Sequence, residues 1–236
     1  MLQRLFLLVF LMFVATGFAL AQDERTTDFD AAALPKTAAT VENFVPAGWQ
    51  IEETVTGDLN NDGTPDAAVK LIEKMPENAD KDAPPSRERI LLVLFKTANS
   101  AFERVAVGEN VLQCTGCGGA FYGIAEAPAN VEISKGVLIV KEDFGSREVT
   151  EMTFRFRYDA KTRKMALIGF DMTDRDRATG ATTTESTNYL TGARITEEFQ
   201  YSQKQDKDIK KSSKQTKVSE KTKYLEDIDY EQFGEN

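Results

Sequence analysis

The sequence predicts a mainly β protein: a single antiparallel β domain (a sandwich, an open barrel or a partial blade-like sheet) with a flexible N-terminal linker and a C-terminal tail. Three observations predict it. Apolar and polar residues alternate with period two through much of residues 46–200. Clusters of Gly, Pro, Asn and Asp interrupt the alternation at short intervals. No helical period separates one strand from the next, which excludes the βαβ pattern of a parallel sheet.

The elements follow in order. Residues 22–45 read as a linker with a short helix over 37–44, and Thr37 is a candidate N-cap. Pro46-Ala47-Gly48 precedes the first strand, 49–55, in which Trp49, Ile51 and Val55 alternate with polar residues. Further strands are expected over 67–73, 89–95 and 102–107. The unbroken run Ile90-Leu91-Leu92-Val93-Leu94-Phe95 suits a strand covered on both faces. Lys135-Gly136 marks a hairpin between strands 131–134 and 137–141. Strands 148–158 and 164–171 pair across 159–163, and strands 182–188 and 194–201 complete the set. Residues 76–86 read as a solvated loop. From 201 to 236 the chain is polar and Lys-rich, a composition that reads as a disordered tail. Tyr224, Leu225, Ile228, Tyr230 and Phe233 are the residues there that could dock.

The N-terminus reads as an address. Arg4, an apolar run over 5–15 and the small-x-small site Ala19-Leu20-Ala21 have the form of a secretory signal peptide over 1–21. The apolar run is too short for a membrane span. An extracytoplasmic location, periplasmic or secreted, is therefore expected, with no membrane span once the leader is removed.

The chain carries 38 acidic and 29 basic side chains and no histidine. Without histidine there is no Ser-His-Asp or Cys-His catalytic set and no imidazole metal ligand. The acidic balance falls on residues 22–200 and argues against a nucleic-acid partner, which needs a basic stripe.

The strongest motif is Asp58-Leu59-Asn60-Asn61-Asp62-Gly63-Thr64-Pro65-Asp66. Oxygen side chains fall at loop positions 1, 3, 5 and 9 and glycine at 6, the spacing of an EF-hand-type calcium loop. Asp58, Asn60, Asp62 and Asp66 would supply side-chain oxygens and Thr64 its carbonyl. Three carboxylates this close repel one another unless a cation lies between them. Position 12 is Val69, not the bidentate Glu of an EF-hand, and a strand follows instead of a helix. The alternative is a metal-free turn built from good turn formers.

Gly57 through Asp66, followed by a strand, resembles the calcium loop of FG-GAP/VCBS repeats, the blades of integrin α-subunit propellers. Residues 49–107 are similar to one such blade. The resemblance implies a calcium ion held by Asp58, Asn60, Asp62, Thr64 and Asp66 in a structural role. The chain holds one copy of the loop, whereas a closed propeller takes several blades. In this it is similar to small secreted bacterial proteins that carry a single such loop.

Cys114-Thr115-Gly116-Cys117 lacks the histidine of a haem attachment and the further ligands of a zinc site. A local disulfide between Cys114 and Cys117, in an oxidising compartment, is the favoured reading over redox chemistry. Other candidates are a basic patch (Arg155, Arg157, Arg163, Lys164) and sugar-binding aromatics (Trp49, Phe121, Tyr122), which read better as a solvated face and as core. The function expected from all this is a secreted, calcium-stabilised β domain that binds a protein or polysaccharide partner and is not catalytic. The alternatives are an extracytoplasmic carbohydrate hydrolase using a carboxylate pair and a thiol–disulfide function at Cys114 and Cys117.

Overall fold

The computed structural model describes residues 29–233 apart from 81, 124 and 220. The leader expected over 1–21 lies outside the described residues. Twelve strands run in chain order: β1 (Thr37–Ala38), β2 (Trp49–Gly57), β3 (Asp66–Glu73), β4 (Arg89–Lys96), β5 (Phe102–Gly108), β6 (Ala129–Ser134), β7 (Val137–Gly145), β8 (Glu148–Asp159), β9 (Lys164–Asp176), β10 (Ala181–Asn188), β11 (Ala193–Ser202) and β12 (Lys207–Lys217). Every expected strand is present, several of them longer than the alternation indicated.

The strands form two antiparallel sheets and no closed barrel. One has five strands in the order β1-β5-β4-β3-β2, and the other is a seven-stranded meander from β6 to β12. The β6–β7 turn is Lys135-Gly136, with φ 51° and 73°, the two positive values that a two-residue turn matching strand twist requires. Register shifts at Ile51/Glu53 and Val93/Leu94 mark bulges in the smaller sheet.

All eight residues of β3 and seven of eight in β4 are buried, because the five-stranded sheet is covered on both faces. Ala68, Leu91, Val93 and Phe95 face the larger sheet and share a core with Leu138, Val140, Phe154, Phe156 and Phe170. Ala67, Val69, Leu71, Ile90, Leu92 and Leu94 face the other way and pack against Leu34, Phe44 and Trp49. Trp49 is therefore core, not a sugar platform.

That second layer moves the N-terminal boundary outward. Residues 29–45 carry single-turn 3₁₀ segments at Ala31–Ala33 and Val41–Phe44 and the short β1, in place of the helix expected over 37–44. Thr40, not Thr37, caps the second 3₁₀ turn, in a reciprocal box with Asn43. Phe44 at its end is fully buried.

The C-terminal boundary moves as well, which corrects the reading of 201–236 as a disordered tail. Lys207–Lys217 pairs with β11 along its length. A 3₁₀ turn at Leu225–Asp227 follows, and Leu225, Ile228, Tyr230 and Phe233 enter the shared core. Phe233 packs edge-on against Phe154 and Phe170, with ring centroids 5.1 and 4.7 Å away. Composition misses this because four apolar side chains interleaved with five polar ones over residues 225–233 have no regular period, yet their burial outweighs the entropy of ordering a short segment. Among the described residues no helix is long and apolar enough to cross a membrane.

Leu225 is fully buried. Leu225→Ala should therefore lower the unfolding free energy by about 2–4 kcal/mol in urea denaturation. A tail lying free in solvent would leave the midpoint unmoved.

Candidate functional site

The loop joining β2 to β3 spans the predicted motif. Gly57, at the end of β2, lies so close to the β6 side chain of Ile133 that a Cβ there would sit 2.5 Å from it, so only glycine brings the loop against the second sheet. Gly63, with φ 83°, supplies the left-handed turn that other side chains avoid. The two positions set the loop at the seam between the sheets, with Leu59 pointing into the core at full burial.

Within it, Asp58, Asn60, Asp62 and Thr64 come together. Asp58 accepts from the backbone N–H of Asp62 (3.2 Å) and of Gly63 (2.9 Å). The Asn60 side-chain oxygen accepts from Asp62 N–H (2.9 Å), and its amide donates to Asp62 Oδ2 (2.9 Å). Asp62 Oδ1 accepts from Thr64 N–H at 2.7 Å. That bond, then the one from Asn60, holds the Asp62 carboxyl below its usual range.

Asp66 plays a different part. It is fully buried, and its two oxygens accept from the N–H groups of Leu59 (2.9 Å) and of Lys96 at the end of β4 (2.9 Å). Burial raises its pKa, against the pull of those two donors. Asp66 is thus a strut that fastens the loop to the neighbouring strands. Among the described residues no three Asp, Glu or Cys side chains are gathered as a metal cluster.

The donor set of the loop's exposed side still suits a hard cation. Each carboxylate or carboxamide oxygen has a second lone pair beyond the one a backbone N–H uses, and Asp58, Asn60 and Asp62 carry such oxygens on alternate residues of one wound turn. The Asn60 donor on Asp62 is the contact a cation would have to displace.

Cys114 and Cys117 form a disulfide, with Cα atoms 5.1 Å apart. Ser86 Oγ donates to the Cys114 sulfur at 2.8 Å and accepts from Gly116 N–H at 3.2 Å. The clasp lies in the long connection between β5 and β6, where Thr115 N–H donates to the Arg87 carbonyl and Ala127 N–H to the Thr115 carbonyl. The proposed basic patch dissolves into surface pairs, Arg155 with Asp171 and Arg163 with Glu103.

One constellation escapes the sequence reading. At one end of the inter-sheet space the core turns ionic. Arg89 donates Nε and Nη2 to the Glu52 carboxylate and Nη1 to the carbonyls of Gln113 and Ala127. Lys70 Nζ lies 3.1 Å from Glu53 and donates to the Ala129 carbonyl at 2.7 Å. Glu142 continues the inward row of Leu138 and Val140 on β7. Only 2% of it is exposed, and neither of its oxygens makes a hydrogen bond of good geometry. Burial pushes its pKa well up, while the charges of Arg89 and Lys70 and the N–H of Gln113 oppose that shift. Two signals could have flagged these residues: Lys70 alone inside Ala-Ala-Val-Lys-Leu-Ile, and Glu142 on the apolar parity of its strand.

Comparison with protein-family models, with curated proteins and with solved structures finds no match for the chain.

Removing Asp66 leaves two buried or half-buried amides without acceptors. Asp66→Ala should therefore cost about 2–4 kcal/mol in chemical denaturation whether or not calcium is present. A loss seen only with calcium would contradict the strut. Glu142 yields a prediction in pH. The folded chain holds its proton more tightly than the unfolded chain. The stability this supplies is complete below the unfolded carboxyl pKa, about 4.3, and is lost as pH rises through the folded value. The melting midpoint should fall as pH rises above that unfolded value, and Glu142→Gln should make the fall shallower. Equal slopes in the two proteins would refute the assignment.

Proposed function

We propose that the chain is an extracytoplasmic, non-catalytic binding domain whose 58–66 loop takes a calcium ion as a structural brace. The reading rests on one observation: oxygens of Asp58, Asn60 and Asp62 wrap a single turn of backbone amides at the seam where β2 and β3 meet the β6–β7 hairpin. Asp58, Asn60, Asp62 and the Thr64 carbonyl face the ion, and Asp66 anchors the loop from the buried side. A flexible oxygen-lined loop suits calcium better than magnesium, which keeps several of its waters. The ion offsets the repulsion between Asp58 and Asp62 and makes the seam stiffer.

The resemblance to FG-GAP/VCBS loops supports the same ion and the same structural role. The Cys114–Cys117 disulfide agrees with an oxidising compartment and so with the leader read over 1–21.

An ion that binds the folded chain alone must raise its melting midpoint. Purified protein lacking residues 1–21 should melt higher in millimolar calcium than in chelator, by the equivalent of about 1–3 kcal/mol. Asp58→Ala with Asp62→Ala should erase the difference. Coincident melts of the unaltered protein with and without calcium would sink the calcium reading.

A further inference from the structure

The seven-stranded sheet extends well past the part that covers a core. β8 and β9 each bury several side chains, but neither β11 nor β12 buries any. A strand pair that buries no side chain on either face draws little from the hydrophobic effect and is held by its ladder and by cross-strand polar pairs. Here those pairs are Lys210 with Glu197 (2.6 Å), Ser213 with Glu197 (3.0 Å) and Ser212 with Glu198 (3.0 Å).

β12 closes one edge of this sheet, so its outer row of N–H and C=O groups has no strand beside it. The strand reads Lys-Asp-Ile-Lys-Lys-Ser-Ser-Lys-Gln-Thr-Lys, five lysines against one aspartate, in a chain of net charge −9. Among the described residues only Lys210 of the five has an ion-pair partner. The register sets Lys214 opposite Thr196 and Lys217 opposite Ala193, so the free charges flank both faces of the edge. A bulge at Glu198/Phe199 leaves Lys211 out of the ladder, which makes Ser212–Lys217 the regular stretch of edge.

We infer that this edge is a docking site for an extended acidic peptide segment, which adds as a further strand along residues 212–217 with its carboxylates against Lys207, Lys211, Lys214 and Lys217. An unpaired edge is a template for strand addition, and main-chain bonds supply affinity while flanking side chains supply selectivity. Charge selects the occupant. A second β12 would set lysines beside lysines, so the edge repels its own copy while attracting an acidic strand. The seam loop lies against β6, at the opposite edge of the same sheet. The inference rests on the reading of the chain as a binding domain, and not on calcium.

The test uses a fluorescein-labelled peptide of alternating glutamate and threonine, titrated with the protein lacking residues 1–21 and read by fluorescence anisotropy. Saturable binding is expected. It should weaken about tenfold or more when Lys207, Lys211, Lys214 and Lys217 are all changed to Gln. A peptide of the same charge with proline replacing alternate threonines cannot complete a ladder, and it should bind at least about tenfold more weakly. This second comparison leaves the protein unaltered and so does not depend on how the variant folds. Three results would overturn the inference: no binding, equal binding of the proline peptide, or tighter binding of a sulfated polysaccharide of matched charge. The Asp58→Ala, Asp62→Ala protein should bind the peptide as before. A calcium response without peptide binding therefore fails the edge alone, and peptide binding without a calcium response fails the loop alone.

Discussion

The rest of the structure depends on the burial of β3 and β4 on both faces. Two adjacent strands whose side chains are apolar in both directions cannot stand in water on either side. One face is met by the seven-stranded sheet. The other has no sheet to meet it, and Leu34, Phe44 and Trp49 take that place. The cover is irregular because the segment needs to deliver only a few large side chains to a surface already held flat by its ladder. The C-terminal residues complete the arrangement from the far end of the chain, with Leu225 and Phe233 in the core shared by the sheets.

The same constraint places the ionic cluster. Lys70 and Arg89 sit on the inter-sheet face of β3 and β4, and they are buried because their strands are. A buried charge persists only when paired and hydrogen-bonded. Glu52, the carbonyls of Gln113, Ala127 and Ala129, and the Glu142 carboxyl are the groups assembled around them. The β5–β6 connection carries two of these acceptors, the carbonyls of Gln113 and Ala127, and leads directly into Ala129 at the start of β6; the Cys114–Cys117 clasp lies within it. Constraining that connection keeps the acceptors at hand, which is a more direct account of the Cys-x-x-Cys than any redox role. Breaking one partner of such a cluster costs more than the cluster contributes when whole, since it leaves an uncompensated charge.

Much of this was legible in the sequence, and the parts that were not share a cause. Strand positions, the Lys135-Gly136 hairpin and the double-sided burial of 90–95 follow from period and turn chemistry, which act locally. The gathering of Asp58, Asn60, Asp62 and Thr64 follows from their spacing on one wound turn. The role of Asp66 does not, because its second partner is the amide of Lys96 on another strand. The order of β12 was hidden for the same reason: a Lys- and Ser-rich segment has no drive of its own to form a strand, and β11 supplies the ladder. Phe233 looks like a stray aromatic in a polar tail until Phe154 and Phe170 are brought beside it.

The seven-stranded meander also runs from a packed end to an unpacked one, and this grades the molecule in local stability. Amides of β3 and β4 can exchange with solvent only when the whole domain opens, whereas those of β12 need only the release of one ladder that buries no side chain. The outer hairpin is accordingly its own opening unit, able to fray and reclose while the core stays shut. A change at that edge can come and go without disturbing the two-sided sheet at the centre, so the domain tolerates variation there that β3 and β4 could not absorb.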